Sequence, residues 1–209
     1  MRQTVVAALG HVAIALALAI ASAPAAHANS SQPILSGGLP EGVRAMAGRS
    51  LHLEDGSFAL SPIGFLQLCQ EDPGACPEAQ ARRIVLDEGS YAQLTDVNRA
   101  VNRAIAPRRE DDGADRWQSA ASAGDCEDYA LAKRARLVAG GWPAGVFSFA
   151  MVYTDGGEAH LVLTVRTTIG DLVLDNLNDD LRHWSRLPYR WVKRQSTVAQ
   201  AYWVEVVAR

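Results

Sequence analysis

Apolar and polar positions change their period several times along this chain, and each change marks an element. A long apolar stretch from Val5 to Ile20 follows one basic residue, Arg2, and gives way to small residues ending in Ala26-His27-Ala28. A basic start, an apolar middle and an A-x-A end predict a secretory signal peptide over residues 1–28. The stretch is short for a membrane span of about 20 residues, and no charged stop-transfer cluster follows it. Residues 29–50 hold Asn29-Ser30-Ser31, Gly37-Gly38, Pro40, Gly42 and Gly48, which predict a loose lead-in. Gly64 to Cys69 predict a short helix running into a turn-rich segment with Asp72, Pro73, Gly74 and Pro77. Ala81, Ile84, Val85 and Glu88 have helical spacing, so a helix is expected over residues 78–88. Val97, Val101 and Ile105 recur every four residues. They predict a helix capped by Thr95 or Asp96 and stopped by Pro107. The charged, glycine-containing run 108–116 reads as a surface loop.

The next helix opens at Gly124-Asp125-Cys126-Glu127-Asp128. Asp125 is a good N-cap, and Asp128 stands three residues on, as in a capping box. Ala130, Leu131, Ala135, Leu137 and Val138 form its expected apolar stripe, and Gly140-Gly141 with Pro143 end it. After Pro143 the period shortens. Phe147–Thr154, His160–Thr167, Asp171–Leu177 and Ala201–Val207 are rich in Val, Leu, Phe and Thr and predict strands separated by Asp155-Gly156-Gly157 and Gly170-Asp171. Helices first and a strand meander after them make an α+β domain over residues 51–209, with the Cys126 helix packed on an antiparallel sheet.

Composition narrows the function classes. The chain has 209 residues and a formal net charge of −3, which gives no electrostatic case for nucleic acid. No second long apolar run appears, so no stable membrane insertion is expected once the signal is cleaved. The signal lacks a twin arginine and implies ordinary unfolded export to the periplasm. Export makes the three cysteines informative. Cys69 and Cys76 flank turn residues at a spacing that a disulfide can close in an oxidising compartment. Cys126 is left over as a free thiol, either a buried inert residue or a reactive one.

The acids around Cys126 make an unlikely setting for a core thiol, and a helix start favours a thiolate. His52, His160 and His183 remain as possible bases beyond the signal. His160 opens a strand and shares a face with Val162 and Thr164. Asp175 lies in the apolar run Leu172–Leu177, where an acid needs a partner; a histidine would satisfy it and be oriented by it. The plain alternatives are a structural histidine and a turn aspartate, and Asp179-Asp180 reads as a solvated turn. Trp117 could donate to an oxyanion by its position, although a structural tryptophan is the simpler reading. Trp142, Trp184, Trp191 and Trp203 read as core or rim. Asp125, Glu127 and Asp128 crowd the thiol with negative charge that a helix dipole cannot offset. Clustered oxygen ligands suit Ca²⁺ better than Zn²⁺; equally, acids at a helix start can be simple caps.

These residues carry a family resemblance. Gly124-Asp125-Cys126-Glu127-Asp128-Tyr129-Ala130 with Lys133-Arg134, Ala159-His160-Leu161-Val162-Leu163, Val173-Leu174-Asp175-Asn176-Leu177 and Arg194-Gln195-Ser196 resemble the bacterial transglutaminase-like cysteine proteinases. So do the Phe65, Cys69, Pro73, Cys76 segment and the Val97-Asn98, Val101-Asn102, Ile105 helix. The resemblance spans roughly residues 60–203. It implies a papain-like, transglutaminase-like core with Cys126 as nucleophile, His160 as general base and Asp175 as orienting acid. It further implies calcium at Asp125 and Glu127, with Asp128 a weaker ligand. The substrate implied is a protein such as a large surface adhesin, whose release loosens a biofilm. The implied regulator is an inner-membrane cyclic-di-GMP receptor. Two rivals are a transglutaminase-type acyltransferase and a catalytically silent, calcium-dependent binding module. Arg194-Gln195-Ser196 has no role derivable from the sequence. N-terminal sequencing of the exported protein is expected to begin at Asn29; a chain that retains Met1 or Arg2 would refute signal cleavage.

Overall fold

Burial of an apolar strand face forces helices to one side of a sheet, and that is the arrangement found. The computed structural model describes residues 52–76, 82–108, 115–118 and 122–207. The predicted signal peptide and lead-in lie outside the described residues, as does most of the 108–116 loop. Seven strands form one antiparallel sheet: β1 Glu54–Ala59, β4 Phe147–Tyr153, β5 Ala159–Thr167, β6 Gly170–Asp175, β7 Asn178–His183, β8 Arg190–Gln195 and β9 Trp203–Val207. Their spatial order is β1-β9-β8-β4-β5-β6-β7. The helices are α1 Ile63–Glu71, α2 Glu88–Ala104 and α3 Cys126–Ala139. A short parallel pair, β2 Ala106–Pro107 and β3 Ala123–Gly124, ties the end of α2 to the start of α3. The architecture is α+β, as the periodicity predicts. No helix among the described residues is long and apolar enough to cross a membrane.

Strand alternation divides the core in two. Phe147, Phe149, Leu161, Leu163, Val165, Leu172 and Leu174 cluster with Phe65, Leu94, Trp117, Leu131, Leu137 and Trp203. The opposite residues, Ala150, Val152, Val162 and Val173, pack with Leu53, Trp184, Leu187 and Trp191. Trp184, Trp191 and Trp203 are thus core residues, and Trp142 packs half-buried beside Phe147. Gly64 lets α1 lie directly on Trp117, because a Cβ there would overlap the indole. The predicted Cys69–Cys76 disulfide closes the turn after α1, with Cα atoms 5.4 Å apart.

Several local expectations differ from the structure. Residues 82–87 are not helical. Ile84 bridges Thr167 of β5, and Ile84 and Leu86 point inward while Val85 is 59% exposed. The spacing there is that of an extended segment, and pairing with the sheet decides it. Helix α2 starts two turns earlier than Thr95, because Asp87 and Ser90 form a reciprocal capping box. Thr95 lies inside the helix and donates to the Tyr91 carbonyl. On α3, Ala135 and Val138 are exposed, and Lys133 and Arg134 occupy the buried face with Ala130, Leu131 and Leu137. Long basic side chains bury their stems readily, and the Arg134 guanidinium sits 5.2 Å from the Phe149 ring centroid. The end of α3 is as predicted. Gly141, at φ 94°, gives a Schellman turn in which Gly141 N–H bonds Val138 O and Trp142 N–H bonds Leu137 O.

Three strands of the large sheet, β1, β7 and β8, and the short β2–β3 pair lie outside the expected strands. Asp179 and Asp180 are exposed as predicted but lie in β7, where Arg99 pairs with Asp180. Strand β8 gives Arg194-Gln195-Ser196 a role. Arg194 is 1% exposed. Its Nε donates to Asp55 Oδ1 at 2.8 Å, its Nη1 to Asp171 Oδ2 at 3.3 Å, and its Nη2 to the Leu53 carbonyl. Gln195 accepts from Phe149 N–H and donates to Gln200 O, and Ser196 donates to Asp55. This cluster fastens the entering strand β1 across the sheet to β6. Removing one member of a buried ion pair costs about 3–5 kcal/mol, because its partner is stranded. Arg194→Leu is therefore expected to lower the urea midpoint by that amount of stability with an unchanged m-value; a change under about 1 kcal/mol would refute this role.

Candidate active site

Cys126 is the first residue of α3, and two anchors aim that end of the helix. Tyr129 Oη donates to the Ile105 carbonyl at 2.6 Å, tying α3 to the end of α2. Asp128 accepts from the Gln118 N–H at 2.7 Å. Its carboxylate lies over Gly124, where any Cβ would overlap it, so glycine is required two residues before the cysteine. Asp125 stands at the N-cap with extended backbone, but its side chain makes no capping bond. The predicted capping box is therefore absent: Asp128 is drawn away to the 115–118 segment, and Asp125 Oδ1 is buried without a hydrogen-bond partner.

The half-buried thiol of Cys126 donates to Glu127 Oε2 at 3.0 Å. Burial pushes its pKa well up, the charge and hydrogen bond of Glu127 push it further, the Leu161 backbone N–H opposes them, and Asp125 adds to the rise. The contact with Leu161 puts the sulfur beside the start of β5, next to His160. Glu127 is pushed up to about 7 by burial, against the pull of the Cys126 bond and with the help of the Asp125 carboxylate. Asp125 and Glu127 thus form a crowded carboxylate pair with one buried oxygen unsatisfied. Hard oxygen donors of this kind fit calcium in type, though calcium takes about 6–8 oxygens and two side chains supply only part of that set. Among the described residues no group of three or more metal-ligating side chains forms.

His160 and Asp175 meet through sheet register. Leu163 pairs with Leu174, so the same register carries Asp175 across from Val162, one same-face step from His160. A diagonal neighbour of this kind is within reach of long side chains. His160 Nε2 lies 2.9 Å from Asp175 Oδ1, and both side chains are buried. The Leu177 N–H also reaches Oδ1, at 2.9 Å. Oδ2 accepts from Tyr189 Oη at 2.6 Å and from Asn178 Nδ2 at 3.2 Å. Burial alone would raise the carboxyl, but the bond and charge of His160 with the Tyr189 and Leu177 donors outweigh it and hold Asp175 at about 2. Helix α2 fixes the backbone there: Asn102 donates to Asp175 O at 3.0 Å and Asn98 to Asn178 O at 2.8 Å.

The other candidate bases lie elsewhere. His52 Nδ1 pairs with Asp171 at 2.8 Å in the Arg194 cluster, and His183 Nδ1 with Ser185 Oγ at 2.9 Å. Trp117 is structural, as its simpler reading held: it is buried among Phe65, Phe149 and Trp203, and its Nε1 donates to Asp115. Five residues around the site had no role in the sequence reading: Tyr189, Asn178, Asn98, Asn102 and Lys133. Asn98 and Asn102 carried a signal, since two asparagines a turn apart on an apolar helix face imply a polar partner. Lys133 is 1% exposed, with Nζ 5.8 Å from the Tyr129 ring centroid. Burial lowers its pKa to about 7 against the charges of Asp175 and Asp179.

Comparison with known proteins bears on the whole arrangement. No curated protein matches the chain. Among solved structures, calcium-bound LapG of Legionella pneumophila is 29% identical, over 50% of this chain and 64% of that one, with a TM-score of 0.46. EGTA-treated LapG of the same organism is also 29% identical, over 50% and 62%, with a TM-score of 0.45. The match therefore covers less than two thirds of those chains. The description of the bacterial transglutaminase-like cysteine proteinases matches residues 55–209, which take in every strand and helix above apart from Glu54, the first residue of β1. The chain belongs to the bacterial transglutaminase-like cysteine proteinase family.

Proposed function

We propose that this chain is an exported cysteine endopeptidase in which Cys126 attacks, His160 moves the proton and Asp175 orients His160. One observation carries the reading. Asp175 holds Nε2 of His160 at 2.9 Å, while the next amide along β5, Leu161 N–H, reaches the Cys126 thiol. Asp175 thereby selects the tautomer with hydrogen on Nε2 and leaves Nδ1 as the base.

The chemistry follows from those positions. His160 Nδ1 takes the thiol proton, and the thiolate adds to a peptide carbonyl. The backbone N–H of Cys126, free at a helix start, donates to the oxyanion. Imidazolium returns its proton to the leaving amine as the C–N bond breaks, leaving a thioester. His160 then deprotonates a water that attacks the thioester and restores the thiol. Asp175 remains ionised throughout and stabilises the imidazolium. The unfavourable feature is the negative charge of Glu127 and Asp125 beside the sulfur. Calcium held by these two residues would supply positive charge that offsets it. The unpartnered Asp125 oxygen supports that site.

The reading places the enzyme in the periplasm with a protein substrate. The family resemblance extends it to a surface adhesin as substrate and to sequestration by a cyclic-di-GMP receptor at the inner membrane.

Labelling of the mature protein with an iodoacetamide probe at about pH 6 tests the reading, since only an activated thiol alkylates quickly there. Selective labelling of Cys126 is expected, lost in His160→Ala and weakened by excess chelator. Equal labelling in all samples would sink the protease reading. Fast labelling indifferent to chelator would remove only the calcium site. Incorporation of a labelled amine into the product would favour the acyltransferase.

A further inference from the structure

The loop before β8 brings a tyrosine against both members of the buried pair. Its path is set by register. Trp191 of β8 pairs with Val152 of β4, and Val152 pairs with His160 of β5. Tyr189 lies two residues before Trp191 and so projects from the same face, over the end where His160 sits. Arg190 pairs with Tyr153, and its guanidinium stacks 4.2 Å from that ring centroid, which pins the loop. The Tyr189 ring meets the His160 imidazole edge-on, with centroids 5.9 Å apart and planes at 74°.

The donors of Asp175 are arranged by oxygen. Oδ1 takes His160 and the Leu177 amide; Oδ2 takes Tyr189 at 2.6 Å and Asn178 at a longer 3.2 Å. Without the phenol, Oδ2 keeps only the weaker bond, and the carboxylate is free to turn toward Asn178. His160 would then lose the fixed acceptor that selects its tautomer. Packing alone does not account for this arrangement. Phenylalanine would fill the same half-buried space beside Leu187 and Trp191, whereas a hydroxyl here must be matched to an acceptor.

We propose that Tyr189 is a positioning residue for the reaction: its hydroxyl locks Asp175, and its ring edge holds the imidazole, so that His160 presents Nδ1 to Cys126. The proposal rests on the triad reading above. Three samples separate the two: the full mature protein, Tyr189→Phe and His160→Ala. Thermal unfolding and the rate of Cys126 alkylation are measured on each, and the ¹⁵N signature of the His160 ring at about pH 8, where a free imidazole is neutral, on the first two. Tyr189→Phe is expected to stay folded, with a thermal midpoint a few degrees below wild type, since one donor to a buried carboxylate is lost. His160 should pass from one tautomer to a mixture, and alkylation should slow about ten- to a hundredfold, the loss for a hydrogen bond to a charged group. A single unchanged tautomer with alkylation within about twofold of wild type, while His160→Ala loses alkylation, overturns the proposal and leaves the triad standing. Alkylation of His160→Ala at the wild-type rate overturns the triad itself. Should Tyr189→Phe fail to fold, fluorotyrosine at position 189 keeps ring and hydroxyl but is a stronger donor. It alters the tautomer signature and the alkylation rate if the proposal holds, and neither if it does not.

Discussion

A carboxylate buried at the end of a sheet strand must be satisfied from every side, and Asp175 imposes that demand on the elements around it. An ionised acid in such a place is costly without donors. Here they come from separate parts of the chain: His160 on β5, Leu177 and Asn178 at the β6–β7 turn, and Tyr189 before β8. Helix α2 completes the arrangement by binding the backbone of the same turn through Asn98 and Asn102. The packing of α2 on β7 and the entry into β8 are thus tied to one side chain. The surroundings that would otherwise expel the charge are what make its bond to His160 directional and strong.

The environment of Cys126 is built on the opposite principle. A helix start and the Leu161 N–H favour a thiolate, while burial, Glu127 and Asp125 oppose it. A helix terminus is worth about half a charge, so two nearby carboxylates outweigh it. Glu127, pushed up to about 7, holds the thiol hydrogen as its acceptor. The arrangement therefore favours the protonated thiol. Any activation must act on those two carboxylates or come from His160.

Legibility in the sequence followed from how local each signal is. Strands β4, β5 and β6 were readable because their inward and outward residues alternate between clear turns. The start of α3 was readable from Asp125, and its end from Gly140-Gly141. Cys126, His160 and Asp175 stood out by residue type in settings that do not suit the type. Strand β7 was hidden because Asn178-Asp179-Asp180 are polar and largely outward-facing, and β8 because Arg194 and Gln195 are polar residues at buried positions. Arg194 is buried only because Asp55 and Asp171 arrive from distant segments. The stripe of α3 was misread for the same reason, since Lys133 and Arg134 are buried by contacts that spacing cannot reveal. Tyr189 gave no signal at all: its hydroxyl has meaning only once β4, β5 and β8 lie side by side.

Strand β6 carries two buried acids in contrasting settings. Asp171 and Asp175 are a same-face pair on it, separated inward by Val173, and both are almost fully buried. Each meets a histidine, His52 at 2.8 Å and His160 at 2.9 Å. Asp171 also faces Arg194, a permanent cation, which neutralises it whatever His52 does. Asp175 has no arginine; its remaining donors are neutral, a phenol, an amide side chain and a backbone N–H. Lys133 also feels its charge, but burial lowers that lysine to about 7, so no permanent cation cancels the carboxylate, and a proton arriving at His160 is stabilised by it. Two acids of similar burial on one strand thus differ in setting: one is paired with a fixed charge, and the other is hydrogen-bonded to an imidazole and neutral donors.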